Sequence, residues 1–288
     1  ALKYVDSDYT LDVVNDIGLS KDALADQYQY TKDIVTDSKG VQKGTTWQAT
    51  PGLFAYRRSI AKDVLGTDDP DAVQAQLSSW DKFNAVAEKA SEKGYKMLSG
   101  YDDAYRVFSN NVSAPWVDSN NKIVIDDNIM KWVDDSKAQV DAGETGTCDL
   151  WSDDWSKGFY PQGKVFCYFG PAWLVNFSMA ADTEGSIGYN GGWGAAQGPQ
   201  GFFWGGTWIC AAQGTDNANL VKDIMLKMTT DDDIMKDIVV DDDDFVNNST
   251  VMNGLADGSI KVKDDKEYTS KILGGQNPLP MYCAGVET

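Results

Sequence analysis

Phe202-Phe203-Trp204-Gly205-Gly206-Thr207-Trp208-Ile209-Cys210-Ala211-Ala212 is the stretch on which the fold reading turns. Four aromatic rings fall within seven residues, and two adjacent glycines interrupt them. Glycines weaken a strand, so the pair marks a sharp turn or a place where something approaches the backbone closely. The run Thr207–Ala212 has the apolar, β-branched and aromatic content of a buried strand. An aromatic-lined crossing between two lobes, with a ligand against the Gly-Gly turn, satisfies these residues. A core strand whose rings only pack satisfies them too.

Working outward, 288 residues with 42% apolar and 11% aromatic content can bury a substantial core in one large domain or two lobes. A net charge of −19 argues against nucleic acid and anionic membrane surfaces as partners, since both repel an acidic protein. No apolar run is long enough to span a bilayer. Histidine is absent, which removes His-based zinc sites and Ser-His-Asp or Cys-His catalysis. Cys148, Cys167, Cys210 and Cys283 are far apart with no paired spacing, and read as free thiols behaving as small hydrophobes. No cofactor and no metal is expected. The run Asp241–Asp244 lacks the alternating ligands and central glycine of a calcium loop and reads as a solvated turn. Asp outnumbers Glu by 38 to 6, although Glu suits helix interiors better.

The chain alternates strands with helices, which makes the fold α/β. Ser20 caps a helix expected over 21–30. Residues 44–52 form a strand running into a Pro-Gly break, 53–56 stay extended, and a short helix follows to Leu65. Asp69 before Pro70 and Ser79 before Trp80 are strong helix starts. Tyr95–Leu98 and Lys164–Phe169 read as strands, and 127–142 as a helix with Ile129, Met130, Trp132 and Val133 inward. Pro171 opens a helix through Trp173. Leu220, Val221, Ile224, Met225 and Met228 make another helical face, Thr230 caps the next helix, and a further helix covers 248–256. Leu273–Pro280 is extended.

The order of these pieces carries a resemblance. Trp47-Gln48-Ala49-Thr50-Pro51-Gly52 leads to Phe54-Ala55-Tyr56-Arg57-Arg58, then Ser79-Trp80-Asp81-Lys82-Phe83, then Gly163–Phe166, Gly170-Pro171-Ala172-Trp173 and the Gly-Gly stretch. This resembles the carbohydrate-type extracellular solute-binding proteins of ABC importers, the maltose-binding-protein-like group, from about Gly44 to Pro280. The resemblance implies an α/β, periplasmic-binding-protein-like type II fold with two lobes joined by a multi-strand hinge. Lobe one would comprise 1–50 plus 207–275, and lobe two 51–206 plus 276–288. Crossings would fall near Gln48–Gly52, Trp204–Thr207 and Gly274–Pro278, where Gly and Pro suit a hinge. Family members begin with a longer stretch and end with further helices, so the resemblance also implies a chain truncated at both ends, with lobe one partial.

It implies too a non-enzymatic, monomeric receptor outside the cell, as a surface lipoprotein or in the periplasm. Such a receptor takes a mono- or oligosaccharide and passes it to the membrane subunits of an ABC permease. A sugar has apolar C–H faces ringed by hydroxyls, so its site needs flat rings plus carboxylates, amides and Arg. Trp47, Gln48, Asp103, Tyr105, Arg106, Trp173, Trp204, Gly205, Gln276 and Asn277 are the candidates. For Trp173 the plainer reading is helix packing, and for Asp103 and Arg106 a surface ion pair. Trp80, Trp116, Trp132, Trp151 and Trp155 are assigned to structure. The alternative function is a carbohydrate-active hydrolase using Asp102/Asp103 or Asp153/Asp154. Adjacent loop residues, however, rarely place two carboxyls on opposite sides of one bond.

Overall fold

The computed structural model describes residues 2–286; positions 1, 287 and 288, which the lobe expectation includes, lie outside the described residues. The chain forms two compact units. One runs from the N-terminus to Thr50 and resumes over Gly205–Tyr268; the other comprises Pro51–Trp204 and the residues from Thr269 onward. The chain therefore changes unit at Thr50/Pro51, Trp204/Gly205 and Tyr268/Thr269. The last of these precedes the Gly274–Pro278 segment.

The larger unit is organised on a three-stranded antiparallel sheet. Its strands are β1 (Leu53–Arg57), β2 (Cys167–Gly170) and β3 (Trp193–Ala196), in the order β2-β1-β3. Phe54 pairs with Phe169 on one side and Ala196 on the other. All three strands are almost wholly buried, so they lack the alternation of a half-solvated sheet. Helices fold over the sheet where the sequence signals them. The Arg58–Leu65 helix ends at Gly66. Asp69 accepts from the Ala72 amide to start Pro70–Leu77, and Ser79 accepts from Lys82 N to start Trp80–Glu92. Phe83 then reaches the core, edge-on to Phe54 at 6.2 Å between ring centroids.

The smaller unit has no regular strand among its described residues. Isolated antiparallel bridges, Thr10 to Ala212, Thr45 to Ile209 and Gln48 to Val246, hold its extended segments. Its α-helices are Leu2–Val5, Gln29–Asp33, Ala218–Thr230, Asp232–Asp242 and Ser249–Asp257. An apolar cluster of Val13, Ile17, Leu19, Leu24, Ala211 and Met225 is joined to a buried polar network. Gln27 Nε2 donates to Thr45 Oγ1 (2.9 Å) and to the Thr229 carbonyl (3.0 Å). Asn247 Nδ2 donates to Thr31 Oγ1 and the Thr46 carbonyl, both at 3.0 Å. Buried polar groups satisfied in this way avoid a desolvation penalty of about 1–3 kcal/mol each.

Several expectations are corrected. Thr207–Ala212 is a half-buried extended segment with two bridges, because Gly205 (φ +83°) and Gly206 (φ +113°) turn the chain before pairing can extend. A Cβ on Gly206 would also lie 2.7 Å from the Trp208 ring. Ser20 does accept from Ala23 N, but 21–27 form successive turns with i→i+3 bonds, because Leu24 and Gln27 are drawn inward. Gly44–Gly52 and Tyr95–Leu98 contribute single bridges and no strands. The Asp127–Asp141 helix turns Ile129 and Gln139 inward and leaves Met130 and Val133 exposed. On Ala218–Thr230, Met225 and Thr229 are buried while Leu220, Ile224 and Met228 face solvent. Asp231, not Thr230, caps the next helix by accepting from Ile234 N. Leu279–Val286 is helical. Asp244 is no solvated turn residue: it is buried and accepts from Gln48 Nε2 at 3.1 Å. Trp116 stands exposed at the base of a small hairpin, just outside the Val117–Ile123 bridge, where its carbonyl accepts from Val124 N.

These placements are checked by paired truncations. Phe83→Ala should cost about 3–5 kcal/mol in denaturant unfolding, since its ring is fully buried. Met130→Ala should stay within about 0.5 kcal/mol of wild type. Equal costs would mean the Asp127–Asp141 helix presents a different face to the core.

Candidate functional site

The site grows from the turn 100–104 in the larger unit. Asp103 Oδ2 accepts from Gly100 N (2.9 Å), which folds the turn back on itself. Its other oxygen accepts from the Trp155 indole nitrogen at 2.7 Å. Asp103 is only 6% exposed, so it is not half of a surface ion pair. The Tyr105–Asn110 helix follows. Val107 and Phe108 are fully engaged in the apolar core, Phe108 stacked on Trp80 at 4.2 Å. That anchoring leaves Tyr105 and Arg106 on the outer side.

Ser152 caps the short Asp153–Ser156 helix by accepting from Trp155 N, and thereby turns Trp155 inward. The indole is edge-on to Phe159 (5.0 Å) and Tyr168 (5.2 Å). The Tyr168 hydroxyl donates to the Trp155 carbonyl at 3.1 Å. Fixed on all sides, Trp155 is the floor of a ring cluster. Trp151 lies 5.2 Å from it, Trp204 lies 5.6 Å from Trp151, and Trp173 lies 5.1 Å from Trp204. Trp173 follows β2 and Pro171, just before a π-helical turn over Leu174–Ser178; its indole N–H donates to the Trp204 carbonyl at 3.0 Å. Alongside the cluster is a cavity of about 160 Å³ lined by Asp102, Tyr105, Arg106, Leu150, Trp155 and Trp204 among others.

Arg106 differs from the chain's other two arginines. Arg57 and Arg58 donate to backbone carbonyls, of Pro161 and Gly163 and of Trp193, Asp68 and Leu273 respectively. The Arg106 guanidinium is exposed and lies over the Tyr105 ring (5.9 Å) and the Trp204 ring (5.7 Å). Among the described residues it has no carboxylate within ion-pair reach. Its donors face outward beside an apolar surface, an arrangement suited to oxygen acceptors on a ligand.

The other candidates are placed differently. Trp47, Gln48 and Gly205 belong to the smaller unit, where Gln48 is tied to Asp244. Gln276 donates to the Ala195 carbonyl (2.8 Å) and accepts from the Ala195 amide (2.9 Å), so its side chain braces β3. Asn277 accepts from Leu279 N at the start of the last helix. Trp151 and Trp155, assigned to structure from sequence, are in the cluster itself. Trp155 is buried, as a structural ring should be. Trp151 is 51% exposed with φ +71°, a conformation that costs a non-glycine residue roughly 1–2 kcal/mol. The usable sequence signal was Leu150-Trp151-Ser152: a tryptophan immediately before a helix cap has no helical face to join.

Burial dominates the titration of the carboxyls here. Desolvation raises Asp103 to about 7 against the hydrogen bonds from Gly100 and Trp155, and neighbouring Asp102 is also raised by burial. In the smaller unit, burial raises Asp244 to about 6. A carboxyl whose folded pKa exceeds its unfolded value of about 3.9 holds a proton that unfolding releases. Folding is therefore favoured as pH falls from 8 toward 5. The melting temperature should rise over that interval, and Asp103→Asn should flatten the slope even if it lowers stability at every pH. A flat wild-type profile, or an unchanged slope in the variant, would contradict the burial of a titrating Asp103.

Comparison with known proteins follows the same lines. A family model described as bacterial extracellular solute-binding protein matches residues 1–269. A search of curated protein sequences gives no match. Among solved structures, one is an extracellular solute-binding protein of family 1, at TM-score 0.79 and 16% identity, covering 99% of this chain and 70% of that one. Another is the ABC transporter associated binding protein of B. animalis subsp. lactis Bl-04 in complex with β-1,6-galactobiose, at TM-score 0.70 and 20% identity, covering 99% and 71%. A third is the galacto-N-biose-/lacto-N-biose I-binding protein of the ABC transporter from Bifidobacterium longum in complex with lacto-N-biose, at 0.67 and 15%, covering 99% and 67%. At these identities the likenesses establish the fold, α/β and periplasmic-binding-protein-like. With the family model spanning nearly its whole length, the chain belongs to the bacterial extracellular solute-binding proteins.

Proposed function

We propose that this protein captures a mono- or oligosaccharide and hands it to the membrane subunits of an ABC permease, without catalysing a reaction. It would act as a monomer, as a cell-surface lipoprotein or in the periplasm, with the two compact units as its two lobes. The observation that carries this reading is the ring cluster with Arg106 beside it. Flat indole faces suit the C–H faces of a pyranose, and an uncommitted guanidinium suits its hydroxyl oxygens. Two solved relatives were captured with disaccharides, which supports the same ligand class. We assign ligand contact on the larger unit to Tyr105, Arg106, Trp173 and Trp204.

The hydrolase alternative draws nothing from the carboxyls. Asp103 is committed to Trp155 and Gly100, and Asp154 pairs with Lys157 on the exposed face of a helical turn. Neither pair presents two free carboxyls across a bond.

Calorimetric titration with β-1,6-galactobiose, lacto-N-biose and maltose should give stoichiometric binding of at least one sugar with no released monosaccharide. Trp173→Ala should weaken that binding by roughly 1–3 kcal/mol. Its melting temperature should fall far less than for Trp155→Ala, which removes a buried ring. Sugar turnover proportional to protein would overturn the non-catalytic reading. Unchanged affinity in Trp173→Ala would return that ring to packing.

A further inference from the structure

Trp151 is the one aromatic residue with positive φ among the described residues. The other non-glycine positions in that region are Asn121, Ala180, Asp243, Asp264 and Asp265, small or short polar residues that tolerate it. A bulky ring persists in such a conformation only where its surroundings or its task require it. Core packing does not require it here, since half of the side chain faces solvent. What the conformation achieves is placement. It lays the ring within 27° of parallel to Trp173 at 6.2 Å, beside Trp204, on the Trp155 floor that Asp103 holds.

We propose that Trp151 is a ligand-binding platform of this site, its backbone strain retained because it holds an indole face beside those of Trp173 and Trp204. The inference rests on the saccharide reading and extends it. The ligand's apolar faces would meet at least three indoles, one of them contributed by the loop that precedes the Asp153–Ser156 helix. Asp103 is a positioning residue for Trp151, since it holds the Trp155 indole on which that ring lies.

A structural tryptophan and a functional one give opposite results when glycine replaces them at positive φ. Trp151→Gly removes the ring and relieves the backbone together. Its melting temperature should stay within about 3 °C of wild type. Its affinity for whichever of β-1,6-galactobiose, lacto-N-biose and maltose binds wild type should fall at least tenfold by calorimetry. Trp151→Phe, which keeps a flat ring, should recover most of that affinity. A lower melting temperature with affinity per folded molecule unchanged would show a packing ring and overturn the proposal. So would a loss of affinity that Trp151→Phe does not recover. Failure of wild type to bind any of the three sugars would remove the saccharide reading and the inference with it, an outcome visible before any variant is made.

Discussion

Burying Asp103 beneath a group of tryptophans opposes folding unless nearby donors offset the lost hydration. Those donors are the Trp155 indole and the Gly100 amide, and each has a second consequence. The first immobilises the floor on which the other rings lie. The second closes the turn from which Tyr105 and Arg106 project. One carboxyl thus ties the helix start at residue 105 to the loop before residue 153, segments far apart in the chain. Moving either would leave a buried charge or a buried N–H unpaired.

The two units reach a fixed arrangement of backbone by different means. The larger one has a short, fully buried sheet packed with aromatic rings, Phe54, Phe83, Phe108 and Phe169 prominent among them. The smaller one substitutes side-chain amides for ladder hydrogen bonds. Gln27 and Asn247 bind carbonyls and hydroxyls from distant segments, where a second strand would otherwise be needed. Isolated bridges specify register weakly on their own. Amides with fixed partners supply the missing specification.

What could be read from the sequence was what local chemistry dictates. Asp69-Pro70, Ser79-Trp80 and Asn248 announce helix starts because a short oxygen-bearing side chain reaches a backbone amide three residues on, whatever the rest of the chain does. The excess of Asp over Glu finds part of its explanation here. Asp69, Asp126 and Asp231 are helix caps, and Asp12, Asp37 and Asp118 close turns on nearby amides that the longer glutamate fits less well. Trp173, Trp204, Tyr105 and Arg106 stood out because each sits at a break between elements. The faces of the helices 127–141 and 218–230 were misjudged, since apolar residues recur around much of each helix and only tertiary packing selects which go inward. The direction of Asp103 could not be read at all. It depends on Trp155, fifty-two positions away, and no local pattern encodes that meeting.

The cluster has an optical consequence as well. Indoles at centroid separations of 5.1–6.2 Å lie near enough for their electronic transitions to mix, and Trp151, Trp155, Trp173 and Trp204 are held in a fixed, chiral order by the contacts described above. Such an assembly absorbs circularly polarised light as a unit, with a paired positive and negative band that no single ring would give. Any molecule that separates or re-tilts the rings alters the signal directly, so these four tryptophans report on their own arrangement.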